Sequence, residues 1–74
     1  MGVSMKIGRT HYLYCKQDGK KQAVMMGMAG TTRLRIHARR FTPKTEDDLA
    51  KYDELLRVTR EDNPGWSFEF REPR

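Results

Sequence analysis

Arg33, Arg35, His37 and Arg39 fall at alternate positions of the run Thr31–Phe41. Alternation with a period of two reads as a strand, so these four side chains share one face, with Leu34, Ile36 and Ala38 on the other. Three fixed cations and a titratable imidazole in a row are suited to anions. On a strand the row would run about 20 Å, long enough to follow several successive phosphates. Tyr12 and Tyr14 alternate in the same way and can share that face. Cations interleaved with exposed rings resemble a platform for single-stranded nucleic acid, where arginines hold the backbone and bases stack on aromatics. Lys16, Lys20 and Lys21 surround Asp18-Gly19 and would present a basic hairpin tip. The competing reading has the arginines solvated or paired with Glu69 and Glu72, the tyrosines covering the sheet and the lysines protecting its edge.

No catalytic or metal-binding motif stands beside this pattern. His11 and Cys15, four apart on a strand, would be separated by about 13 Å and cannot share an ion. With His37 they make three scattered candidates, whereas zinc needs three or four converging ligands. Nothing supports a Cys–His nucleophile pair, and Cys15 reads as a small buried hydrophobe. No cofactor is expected. A metal-free ribonuclease using Arg, Tyr and His is a further class, without a motif of its own. Met25, Met26 and Met28 fill a core or form an adaptable contact surface for a protein. The acids Glu46, Asp47, Asp48, Asp53 and Glu54 read as a solvated face.

The totals bound these readings. Seventy-four residues make one small domain, and a domain of this size buries only about 60% of its unfolded surface. The composition, 36% hydrophobic and 34% charged, fits a globular chain with a thin core. The net charge of +5 is unevenly spread. Residues 1–43 hold nine Lys/Arg and one acid, a net +8, and residues 44–74 hold six Lys/Arg and nine acids, a net −3. Cys15 is the sole cysteine, so no internal disulfide forms, and a cytoplasmic location is expected. No apolar run is long enough for a membrane span, and no membrane partner is expected. The start Met1-Gly2-Val3-Ser4 lacks the Ser or Thr that myristoylation needs at position 6, where Lys6 stands.

The elements that must position these side chains follow in order. Residues 1–5 are expected to be a flexible tail and 6–74 a single domain. Thr10–Lys16 reads as an aromatic-rich strand, with Tyr12 and Tyr14 on one face and His11, Leu13 and Cys15 on the other. Asp18-Gly19 predicts a two-residue type I′ hairpin into a strand over Lys21–Met28. Ala29-Gly30-Thr31 predicts a second turn into the basic strand, which Thr42-Pro43 stops. Thr45 is the expected N-cap of a helix whose Leu49, Tyr52, Leu56 and Leu55 form the buried stripe. Asp47–Lys51 and Asp53–Arg57 are expected i,i+4 pairs. Asn63-Pro64-Gly65 ends the helix. Trp66–Glu72 alternates as a last strand with Trp66, Phe68 and Phe70 inward.

The fold class expected is therefore α+β: a β-β-β-α-β order, an antiparallel meander plus a C-terminal strand, with one helix packed on one face. If the third and fourth strands lie parallel, their crossover is right-handed. The helix would cover Leu34, Ile36, Trp66, Phe68 and Phe70, leaving the arginine face open. The function expected is a small, basic, non-enzymatic module that contacts RNA or single-stranded DNA. The alternative is a regulator or inhibitor of the phage or mobile-element type, docked on an acidic surface of a host protein. A homodimer through an edge strand is compatible with either.

Overall fold

A computed structural model describes residues 5–72. It is an α+β domain: a four-stranded antiparallel sheet in the order β3-β2-β1-β4 with one helix. The strands are β1 (Tyr12–Gln17), β2 (Val24–Gly27), β3 (Gly30–Thr32) and β4 (Trp66–Arg71), and the helix α1 is Glu46–Asp62. The two aromatic-rich strands pair centrally, with Leu13 opposite Phe70 and Cys15 opposite Phe68. That register stacks the large apolar side chains of β1 and β4 on one face. Leu49, Tyr52 and Leu56 of α1 pack on them, as their spacing predicts, whereas Leu55 is exposed. Phe41 completes the cluster, its ring edge-on to Tyr52 and Phe70 at 5.5 and 5.1 Å. Met5 is buried in the same core rather than loose at the end of a tail. Residues 1–4 of the expected tail lie outside the described residues.

The helix starts where its spelling predicts. Thr45 Oγ1 accepts the Asp48 N–H at 3.2 Å. The Asp48 carboxylate accepts the Lys44 N–H at 2.9 Å, one residue before the cap, so a shorter acid replaces the usual capping-box glutamate. The expected pairs Asp47–Lys51 and Asp53–Arg57 do not form among the described residues. Arg57 instead bridges Glu54 and Glu61.

The run Thr31–Phe41 is not one strand. β3 stops at Thr32, Arg35–His37 makes a 3₁₀ turn, and Ala38 and Phe41 make single bridges with Gly27 and His11. The returning segment is held by a bond from the Arg39 N–H to the Met26 carbonyl at 3.0 Å. The reason is one of phase. In an unbroken strand Phe41, the largest apolar residue of the run, shares parity with the arginines and faces outward. The 3₁₀ turn resets the phase and lets Phe41 enter the core. Leu34 and Ile36, expected beneath the helix, are 56% and 78% exposed. Ala38 instead buries with Tyr12 and Met25 on the sheet face away from the helix, with Tyr14 against them.

Two further expectations are corrected. β1 and β2 pair only as far as Cys15–Val24, so their connection is a long loop and not a two-residue type I′ hairpin. Within it Lys20 N–H donates to the Gln17 carbonyl at 3.0 Å. Gly19 takes φ +85 while Asp18 stays at negative φ, which is the pattern of a type II turn. The Asp18 N–H is anchored elsewhere, on the Gly65 carbonyl at 2.8 Å. The second turn is centred on Met28-Ala29, with Gly30 already in β3. β3 and β4 occupy opposite edges and run in opposite directions, so there is no parallel crossover.

Candidate functional site

The expected contact residues separate into two ends of the sheet and its interior. Tyr12 is 5% exposed and belongs to the small second core, so it is not a contact residue. Arg35 and His37 lie on the 3₁₀ turn. The Arg39 guanidinium sits 5.2 Å from the Phe41 ring centroid, where it covers a core aromatic. These side chains are exposed, but they do not form a row along a strand.

Lys20, Lys21 and Arg33 do converge. They border an open depression of about 450 Å³ on the helix-side face, which also takes in Val24, Trp66 and Cys15. The register explains the meeting. Gln17 lies opposite Trp66 and Cys15 opposite Val24, so the ends of three strands supply one floor. Thr31 faces Met26 across β3, and Arg33, two residues on, reaches the same side. Trp66 is half-buried with its ring stacked on Phe68 at 6.4 Å. The helix has ended at Asp62, which leaves one side of the indole uncovered by it.

The other face of this same sheet end carries a second, smaller depression of about 230 Å³ bordered by Tyr14, Lys16, Ser67 and Arg71, with Arg60 at its rim. The Arg71 guanidinium lies 5.0 Å over the Tyr14 ring and pairs with Glu69. Arg60 donates to the Phe68 carbonyl at 2.9 Å and so caps part of the free edge of β4. Lys16, Lys20, Lys21 and Arg33 have no carboxylate within ion-pair distance among the described residues. This end of the molecule is thus a basic pole wrapped around the β1–β2 loop, with an aromatic ring on each face.

Tyr14, Lys16, Lys20, Lys21 and Arg33 are the expected contact residues that the pole includes. Trp66, Arg60 and Arg71 belong to it and were not expected. The signal for Trp66 was its place as the first residue of the last strand, just past the helix and hence at the margin of the helix's cover. Arg60 and Arg71 carry no comparable signal, because their approach depends on the β1–β4 pairing.

Other chemistry-bearing groups serve the fold. The His11 side chain is fully buried, its Nε2 accepting the Lys6 N–H at 3.2 Å while Nδ1 has no partner among the described residues. Burial pushes the Cys15 thiol up, which keeps it protonated and a poor nucleophile. Arg9 holds the Glu72 carboxyl below the usual glutamate range through a 2.7 Å bond. Among the described residues no three His, Cys, Asp or Glu side chains cluster for a metal, and no helix is long and apolar enough to cross a membrane.

Comparison with known proteins gives no match to a family model, to a curated protein or to a solved structure.

Proposed function

We propose that this chain is a small non-enzymatic module that binds single-stranded nucleic acid at its basic pole. The observation that carries this reading is the convergence of Lys20, Lys21 and Arg33, none of them paired with a described carboxylate, on a depression that also exposes Trp66. Cations at the rim suit phosphates, and a half-covered indole suits the face of a base. Lys16 and Tyr14 on the opposite face extend the same chemistry around the β1–β2 loop. A strand laid across the loop would meet cations on both sides. Phosphate contacts and ring stacking are sequence-tolerant, so the binding is expected to tolerate sequence.

The test is a salt titration with fluorescent oligonucleotides, both DNA and RNA. Each phosphate neutralised on a single strand contributes a slope of about −0.7 to log K against log salt, so Lys16, Lys20, Lys21 and Arg33 together give about −3. Trp66 fluorescence should be quenched on binding, because the sequence holds no other tryptophan. Failure to bind any oligonucleotide pool at low salt would refute the reading.

A further inference from the structure

The end of the sheet opposite the basic pole has a different character. Met28 at the β2–β3 turn is 83% exposed, and Ile36 on the 3₁₀ segment is 78% exposed. Met28, Ala29, Ile36 and His37 border an open hollow of about 500 Å³ between the turn and the 3₁₀ segment. Single exposed aliphatics are ordinary, but aliphatics gathered at one hollow indicate an interaction surface. The 35–40 segment that holds Ile36 carries Arg35, Arg39 and Arg40 and no acid.

A complementary surface lies on the helix. Leu55 and Val58 are each 37% exposed, and at i,i+3 they stand side by side. α1 holds seven acids against three cations. Asp62 and Glu54 lie one turn to either side of Val58, and the one free cation of that stripe among the described residues is Lys51. One surface is a hollow with a basic collar, and the other is a partly exposed aliphatic pair among acids. Two basic tips brought face to face would oppose their arginines, so the tip does not suit another tip.

We propose that the tip formed by Met28 and Ile36 docks on the Leu55/Val58 face of α1 in a second copy of this chain. The contact is head to tail. It uses two different patches, so a docked pair still offers one free patch of each kind and the assembly can extend. The proposal does not depend on the nucleic-acid reading, since neither patch includes the basic pole. The surfaces are small beside the ~800 Å² per partner of stable complexes, so the association is weak.

Sedimentation equilibrium of the full chain tests it. At low salt and concentrations up to about 500 μM, a range that detects dissociation constants near 1 mM, the average mass should rise above the 8.7 kDa of one chain. High salt should return it towards that value. Met28→Ser with Ile36→Ser breaks the tip, and Leu55→Ser with Val58→Ser breaks the helix face. All four side chains are exposed, so the fold should survive, as circular dichroism will verify. Each double variant alone should remain a single chain. An equal mixture of the two should give dimers and nothing larger, because just one intact tip–helix pairing remains. Wild-type protein that stays at one chain mass would overturn the proposal. So would a mixture that fails to dimerise, or a helix variant that still dimerises alone, which would mean tip-to-tip contact.

Discussion

A Cβ on Gly27 would lie 2.9 Å from the Gly30 carbonyl oxygen and 3.1 Å from that of His37. Both are backbone atoms, so neither can swing aside as a side chain does. Gly27 sits where the hairpin closes and where the returning segment bridges back at Ala38. Its lack of a side chain permits both approaches at once. Gly27→Ala should therefore destabilise the domain by about 1–3 kcal/mol, the usual range for overpacking, and thermal unfolding should shift down by roughly 4–8 °C per kcal/mol for a domain of this size. A melting temperature equal to the parent's would show that the 3₁₀ segment does not lie against this strand. At Gly19 the demand differs. Space is open there, and the positive φ of +85 is what favours glycine. The sequence announces Gly19 through its Asp-Gly spelling. Gly27, in Met-Met-Gly-Met, announces nothing, because its neighbours at Gly30 and His37 are brought in by the fold. Tyr12 and Tyr14 show the same limit. Alternation places both on one face, but Ala38 and Met25 bury Tyr12 and leave Tyr14 half-covered.

Among the elements, the helix and the last strand were readable because local rules dictate them. Thr45 caps, Asn63-Pro64-Gly65 stops, and Trp66, Phe68 and Phe70 alternate. Removing the cap tests how much the local signal contributes. Thr45→Ala leaves the Asp48 N–H without its 3.2 Å acceptor and should cost about 1 kcal/mol, read as a lower denaturant midpoint with an unchanged slope. No loss would mean that the Asp48 bond to Lys44 alone holds the first turn. Thr31–Phe41 misleads because its alternation pairs Leu34 and Ile36 with the core, whereas the residue that the core takes is Phe41, of the opposite parity. A local pattern does not reveal which apolar residue the core needs most. A 17-residue helix is about 25 Å long, and its contacts go chiefly to β4. Leu34 and Ile36 lie beyond its cover, so an extended basic strand would have gained no buried face. The long β1–β2 loop is not legible in the sequence for a related reason. Asp18 is tied to Gly65, and that bond exists only because β4 pairs with β1.

At the scale of the molecule, the basic residues that looked like one stripe are divided between two ends. Lys20, Lys21 and Arg33 border the depression with Trp66, while Arg35 and His37 lie on the 3₁₀ turn and Arg39 covers Phe41. The charge excess of the first half was legible from composition, but its partition depended on where the chain turned back. This partition permits a matched comparison. Lys20→Ala with Lys21→Ala and Arg35→Ala with Arg39→Ala remove the same charge, one pair from each end. The lysines are exposed and touch no carboxylate among the described residues, so their loss should move stability by no more than about 0.5 kcal/mol. Oligonucleotide binding should nevertheless weaken about tenfold or more, and the salt slope should fall by about 1.4 for two lost phosphate contacts. The arginine pair should leave the slope unchanged, with a smaller loss of affinity from the diminished long-range field. The measurement belongs at sub-micromolar protein, far below any self-association through the tip. A response to net charge alone would weaken both variants equally. A larger loss from Arg35 and Arg39 would move the binding surface to the 3₁₀ end and leave the Trp66 depression without a role.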